Sequence, residues 1–231
     1  VPTDERFTGF VFKIQANMDP RHRDRVAFVR VCSGRFTKDM VLSNSRLGKV
    51  LRASRAYRFF GRDRETIDAA YAGDVIGLVN PGQFAIGDTL YSGAPVRLPE
   101  LPRFPAEHFG RVRLKDARYK QFSEGLRQLE EEGLMQLFYL SAGGREPIVG
   151  VVGALQFDVI TSRLRTEYAV EVEVETAGYT AARWIGQPTA SIPSTPSGSV
   201  LVADRQGRSV VLFGSQWELQ YFERQHPDVT L

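Results

Sequence analysis

Arginine carries most of the chemical promise in this chain. Arg21, His22, Arg23 and Arg25 fall within five residues of one turn-rich stretch, Asn17 to Asp24 and just beyond. Arg46, Lys49, Arg52, Arg55, Arg58, Arg62 and Arg64 form a second set, with Tyr57, Phe59 and Phe60 among them. Guanidinium groups beside aromatic rings suit phosphate contacts on structured RNA, through permanent charge and a planar fork of donors. Arg21, His22, Arg23, Arg25, Arg52, Arg55, Arg58 and Arg62 are therefore the candidate RNA contacts. The competing reading is an ordinary solvated face, balanced by Asp19, Asp24, Asp63 and Glu65.

Other chemistry finds little support. His22, His108 and His226 lie in separate contexts without a metal-ligand spacing such as HExxH. Cys32 is the single cysteine; it excludes an internal disulfide framework and reads as a small side chain in a strand rather than a nucleophile. Glu130-Glu131-Glu132 ends a helix and reads as a solvated terminus, unfavourably placed for the helix dipole. Gly143-Gly144 reads as a hairpin turn. Gly150 and Gly153 flank a strand-to-helix step where amides could receive an anion, but without a lysine close packing is the stronger reading. No GxxxxGK[ST] string occurs, so no P-loop for a nucleoside triphosphate is present in these residues. No enzymatic activity and no metal or cofactor is expected of the chain.

The 231 residues are 42% apolar and 25% charged, which excludes disordered and collagen-like classes and allows two domains. The formal charge of +3 hides an asymmetry. Residues 1–98 carry sixteen Lys and Arg against ten Asp and Glu, whereas residues 99–231 carry fourteen against seventeen. A basic half joined to an acidic half points to a polyanion-facing module beside one with another task. No run of about 18 apolar residues exists, so no membrane span is expected, and the sparse cysteine fits a reducing, cytoplasmic compartment. The start at Val1 rather than Met fits a piece of a longer protein.

The elements that must carry these residues divide at proline. Phe10, Phe12 and Ile14 alternate with Val11, Lys13 and Gln15 as in a two-faced strand. Arg25 to Ser33 reads as a second strand, and apolar runs near 40–43, 49–60, 74–79 and 88–91 are punctuated by glycines. Short strands divided by glycine turns predict a small closed barrel over 1–98. Arg52, Arg55 and Arg58 recur every three residues, a helical spacing, but within this pattern the segment is read as a strand. Three prolines between Leu98 and Pro105 predict a stiff linker over 99–106. Beyond it, 107–231 opens on a strand at 107–115 and a helix to Gly133 bearing Tyr119, Phe122, Leu126 and Leu129. Strands at 134–140 and 147–152, a helix bearing Phe157, Ile160, Leu164 and Tyr168, and an alternating strand at 169–175 follow. That β-α-β-β-α-β order predicts a ferredoxin-like plait. Residues 186–199 read as a mobile loop, followed by a hairpin at 200–213 and a helix near 215–226 that packs back as decoration.

The string from Phe7 to Phe28, FTGFVFKIQANMDPRHRDRVAF, closely resembles the start of the second domain of the release factor 3 family of bacterial translational GTPases. The resemblance continues through Tyr71-Ala-Gly-Asp-Val-Ile-Gly-Leu78 and Ile86-Gly-Asp-Thr89. Phe109 to Asp116, Gly125 to Gly133 and Val149 to Val159 look like that family's third domain. It implies a barrel like the second domain of elongation factor Tu, followed by an α/β plait with a C-terminal extension. It also implies a whole protein that binds GTP and helps class I release factors leave the ribosome. GTP, GDP and magnesium would then belong to a preceding G domain and not to this chain. Expected partners are the ribosome (small-subunit RNA and ribosomal protein), class I release factors on it and the chain's own G domain, with a monomeric state. The alternative is a stand-alone RNA-binding protein of translation-factor type that lacks a G domain.

Overall fold

The structure is a computed structural model that describes residues 4–16, 25–60, 63–80, 82–99, 101–102, 104–140, 146–186 and 194–231. It divides into two compact units, Val1–Pro102 and Arg103–Leu231. Arg21, His22, Arg23, Arg62 and the Gly143-Gly144 turn lie outside the described residues, as does 187–193 of the 186–199 segment. No described helix is long and apolar enough to cross a membrane.

The described residues of the first unit form ten strands: β1 (Thr8–Ala16), β2 (Arg25–Ser33), β3 (Arg35–Thr37), β4 (Val41–Asn44), β5 (Lys49–Arg52), β6 (Ala56–Phe60), β7 (Asp63–Thr66), β8 (Ala69–Tyr71), β9 (Val75–Val79) and β10 (Thr89–Tyr91). Eight form one antiparallel strip in the order β5-β4-β10-β1-β2-β9-β6-β7, and β3 pairs with β8. Alternate residues Val11, Ile14, Ala27, Val29, Val31, Leu42, Ile76, Leu78 and Leu90 form the core, joined by Phe36 of β3 and Ala70 of β8. The segment read as one strand through Arg52, Arg55 and Arg58 is instead two. β5 is the first strand of the strip and β6 the seventh, and only residues 53–55 connect them. Three residues reach about 10 Å, so the strip has to curl until its ends meet. Ala53 and Ala56, on either side of that crossing, are both in the core. Curling of this kind makes the unit barrel-like, although no described ladder joins β5 to β7.

A second departure concerns β1. Val11 pairs with Val29 but Lys13 pairs with Phe28, so Phe12 is an extra residue, a β-bulge. Simple alternation would put Phe10, Phe12 and Ile14 on one face. The bulge resets the phase: Val11 and Ile14 both point inward, while Phe12 is 37% exposed beside exposed Lys13.

The second unit runs β11 (His108–Leu114), α1 (Tyr119–Glu131), β12 (Gln136–Leu140), β13 (Ile148–Val151), α2 (Gln156–Tyr168), β14 (Val172–Ala177), β15 (Ala181–Trp184), β16 (Val200–Asp204), β17 (Ser209–Phe213) and α3 (Gln216–Gln225). Its seven-stranded sheet has the order β14-β11-β13-β12-β16-β17-β15. The first four strands with α1 and α2 are the ferredoxin-like plait. Phe122, Leu126, Leu129, Ile160 and Leu164 pack on one face of that sheet with Val112, Leu137 and Val149. The last strand starts later than alternation implies, at Val172 rather than Ala169. Ala169 takes a left-handed conformation (φ 56°) as the C-cap of α2, and Val170 N donates to Leu164 O at 3.0 Å.

The C-terminal segment is part of the sheet, not decoration. β16 pairs with β12, and β15 and β17 continue the ladder. Val202, Val210, Leu212 and Ala182 cluster with Phe109, Phe138 and Ile148, on the side of the plait away from α1 and α2. α3 covers the reverse side of β17 through Leu219 and Phe222 against Val211 and Phe213. The described end of the 186–199 segment is anchored: Ser199 Oγ donates to Glu218 Oε2 at 2.9 Å, and Ser215 Oγ caps α3 by accepting from Glu218 N at 3.2 Å.

Glu130, Glu131 and Glu132 are not a solvated terminus. Glu130 pairs with Arg205 and accepts from Leu137 N at 3.2 Å, Glu131 pairs with Arg127 at 2.7 Å, and Glu132 pairs with Arg163 of α2. Each carboxylate thus ties the end of α1 to another contact, and the Glu132 side chain is 8% exposed. Burial pushes the Glu130 carboxyl above its usual range despite Arg205. At Asp204, burial acts upward too, but the Trp184 indole, the Arg208 amide and the Arg208 guanidinium hold its carboxyl below the usual range.

Removing one partner of a buried pair leaves the other charge stranded, at a cost of about 3–5 kcal/mol, whereas an exposed pair contributes about 0–1. Arg163 keeps Glu167 as a partner, so Glu132→Ala should lower unfolding stability in urea by less than a fully stranded charge would, about 1.5–3 kcal/mol, and Glu146→Ala, in the exposed pair with Arg113, by under about 1. A depressed Asp204 pKa adds stability above the unfolded value near 3.8, lost as pH falls through the folded one. Asp204→Asn should flatten the acid limb of a stability-against-pH curve below about pH 4.

Candidate functional site

Of the candidate cations, Arg25, Arg52, Arg55 and Arg58 are in the described residues. Three of them gather around one loop, residues 80–88. Asn80 is 2% exposed and organises its first half: its Oδ1 accepts from the amides of Gly82, Gln83 and Phe84 at 2.8–3.0 Å, and its Nδ2 donates to Phe84 O at 3.0 Å. Gly82 has φ +98°, and a Cβ there would lie 3.0 Å from Arg25 Nη2, so glycine leaves room for the Arg25 guanidinium. Gln83 and Phe84 then line a shallow groove of about 320 Å³ with Arg52, Arg55 and Leu78.

Asp88 organises the second half of the loop. Its carboxylate is 2% exposed and accepts from Asn44 Nδ2 at 2.7 Å and from Ala85 N at 2.8 Å. Arg46 completes the shell, with Nε 2.6 Å from Oδ1 and Nη2 3.0 Å from Oδ2. The same Nη2 also donates to Gln83 O at 2.9 Å. The hydrogen bond to Asp88 raises the Arg46 pKa further, so this guanidinium stays charged at every accessible pH. Arg46 thereby links the β4–β5 turn to the loop that carries Gln83 and Phe84.

Arg52 makes only a loose, exposed pair with Asp39 at 3.4 Å, and Arg55 has no acidic partner among the described residues. Both side chains can therefore turn to an incoming anion without first losing a strong partner. Arg58 is not brought to this place. It stands at the other end of β9, 4.0 Å from Asp74. Part of the balancing charge thus comes from Asp39 and Asp74. Sequence reasoning placed Arg46 in the basic set but missed Asn80 and Asp88 as the residues that shape the loop. A polar residue with a hydrogen-bonding role looks the same in sequence whether it is buried or solvated.

Elsewhere, no three described His, Cys, Asp or Glu residues are grouped to hold a metal ion. Cys32 is half-buried on the outer side of β2, and burial pushes its thiol up, away from the reactive thiolate. The chemistry offered by the residues around the 80–88 loop is cationic and hydrogen-bonding.

The comparisons with known proteins divide the chain in the same two parts. Residues 6–93 match the family model described as "Elongation factor G domain 2", and residues 98–223 match "Class II release factor RF3, C-terminal domain". The chain is 48% identical over 234 residues to peptide chain release factor 3 of Cyanothece sp., covering 100% of this chain and 43% of that protein. It is 48% identical over 231 residues to that of Gloeobacter violaceus (98% and 44%) and 47% identical over 229 residues to that of Symbiobacterium thermophilum (98% and 43%). The chain thus spans less than half the length of these curated relatives. A crystal structure of a protein from Thermus thermophilus superposes with a TM-score of 0.65 at 23% identity, over 87% of this chain and 31% of that one. That likeness is one of fold.

Asp88→Ala leaves Asn44, Ala85 and Arg46 without their acceptor. It should cost about 2–4 kcal/mol in unfolding stability and speed hydrogen exchange at the Ala85 amide. Arg52→Ala, which breaks only the exposed pair with Asp39, should cost under about 1 kcal/mol and leave that amide protected.

Proposed function

The chain belongs to the peptide chain release factor 3 family, and from that premise we propose that it supplies the second and third domains of a translation termination factor. In this reading the barrel docks on small-subunit ribosomal RNA. The plait meets ribosomal protein and helps to fix the orientation of a G domain. The whole protein works in the cytoplasm and promotes GTP-dependent departure of class I release factors from the ribosome. GTP, GDP and magnesium are held by the G domain, and the present residues catalyse nothing. The observation that carries this reading is the pair of family matches on the two units, with 48% identity running the full length of the chain.

The barrel's part follows from its charge. Arg21, His22, Arg23 and Arg25 are close in sequence, and Arg25, the first residue of β2, leans on the loop whose groove holds Arg52 and Arg55. A ribosome presents phosphates at fixed spacing, so several cations on one surface gain through release of condensed counterions. Arg58 extends the basic set beyond the groove, and Arg62 belongs to the same set by sequence.

Cosedimentation of the chain with purified ribosomes over a range of salt tests this. Changing Arg21, Arg23 and Arg25 together to Ala should weaken binding about tenfold or more near physiological salt and reduce the slope of log K against log salt by roughly two to three. Unchanged affinity with an unchanged slope would move the contact to another surface.

A further inference from the structure

The outward side of the barrel carries a second surface that the arginine pattern does not contain. The bulge in β1 turns both Phe12 and Lys13 outward. Next to them on β2 stand Phe28 and exposed Arg30, alternate to the buried Ala27, Val29 and Val31. On β9 the neighbour of Phe28 is Gly77, which is also paired with Tyr57 of β6. A Cβ on Gly77 would fall 2.3 Å from Phe59 Cε2 and 2.8 Å from Val26 Cγ1. Glycine at this place lets the Phe59 ring lie across β9 and reach Phe28. The result is a continuous aromatic row over four adjacent strands: Phe12 to Phe28 at 6.4 Å, Phe28 to Phe59 at 5.0 Å and Phe59 to Tyr57 at 6.5 Å between centroids.

Cations frame that row. Lys13 Nζ stands 5.6 Å from the centre of the Phe28 ring and Arg64 Cζ 5.9 Å from that of Tyr57. β1, β2, β9 and β6 contain no Asp or Glu. Glu65 of β7 is paired in register with Arg58 and so faces the other side from Arg64. A part-exposed aromatic row, open at Phe12 and framed by cations, on four strands that hold no acidic residue, has a definite chemical complement: a flat π system that carries negative charge on a flexible backbone. A protein knob would satisfy the rings but bury Lys13 and Arg30 without a counter-charge. An RNA duplex would satisfy the cations but keep its bases stacked away from the rings.

We propose that this face binds an unpaired stretch of RNA, with a base stacked on Phe12 beside the Phe28–Phe59 pair and its phosphates on Lys13 and Arg30. The inference rests on the reading of the barrel as RNA-facing, but it uses residues other than the Arg21–Arg25 set and gives the contact a different mode. Stacking on aromatic side chains tolerates any base sequence, so the face selects strandedness rather than sequence.

The test uses the full chain, fluorescence anisotropy and labelled RNA of about twelve nucleotides, either single-stranded or folded as a hairpin duplex. Wild type should prefer the single strand. Phe12→Ala and Phe12→Leu should each weaken single-strand binding about tenfold while leaving duplex binding as it was. Phe12 is part-exposed, so both variants should keep the wild-type melting curve, and Leu retains apolar bulk without a π face. Phe12→Trp should restore affinity, and its emission, the only tryptophan signal from the barrel, should be quenched on binding. Absent or strand-indifferent wild-type binding, unchanged affinity in the Ala and Leu variants, or an unquenched Phe12→Trp complex would overturn the proposal. So would a loss of ribosome sedimentation by Phe12→Ala without any loss of oligonucleotide affinity, which would identify a protein partner. Failure here leaves the Arg21–Arg25 result standing, and failure of that variant leaves this one decided by the oligonucleotides alone.

Discussion

A carboxylate buried to 2% exposure must either give up its charge or be surrounded by donors, and Asp88 is surrounded. Asn44, the Ala85 amide and the Arg46 guanidinium close around it from the β4–β5 hairpin and from its own loop. Because Arg46 also holds Gln83 O, the same contact fixes the loop on which Arg25 leans and against which Arg52 and Arg55 form a groove. The loosely engaged Arg52 and Arg55 are thus presented by a firmly paired anion. Asp88 is buried while the Arg46 side chain is about half exposed, so the pair contributes geometry more than net stability, since desolvation of the carboxylate offsets much of the attraction. The second unit uses a similar device, where Glu132 ties the end of α1 to α2 and Glu130 and Glu131 tie it to Arg205 of the β16–β17 hairpin.

The two faces of the barrel sheet follow from one local irregularity. A strand in strict alternation would have sent Phe12 and Ile14 to the same side. One extra residue instead lets Val11 and Ile14 both serve the core and frees Phe12 with Lys13 for the outside. Gly77 acts alongside it two strands away, by removing a side chain where Phe59 crosses. The aromatic row exists because of these two backbone features, not because its strands are unusually apolar.

Much of the architecture was legible in sequence because it depends on periodicity. The β-α-β-β-α-β order, the stripe of Phe122, Leu126 and Leu129, and the glycine-punctuated strands are local patterns, and each forms the expected type of element. What periodicity does not carry is phase and partner. The bulge at Phe12 is invisible because any sequence of alternating residues can absorb an insertion. The split between β5 and β6 was hidden because the strip closes on itself only in three dimensions. Glu130–Glu132 read as solvated because their partners Arg163 and Arg205 lie 31 and 75 residues away. Of the candidate site, the basic set was legible by composition. The grouping of Arg25, Arg52 and Arg55 around residues 80–88 was not, since it is set by the buried Asn80 and Asp88.

Charge asymmetry along the chain now has a structural counterpart. The basic excess belongs to a barrel in which Arg52 and Arg55 are weakly engaged, whereas the acidic excess of the plait is largely spent on internal pairs such as Glu132–Arg163 and Glu173–Lys115. The claim that the barrel is the RNA-facing unit is tested most directly by photo-crosslinking from a ribosome-bound chain with a photoreactive residue at position 25. The account predicts crosslinks to small-subunit RNA from that position. Crosslinks to protein alone, or none from a chain that still sediments with ribosomes, would contradict it.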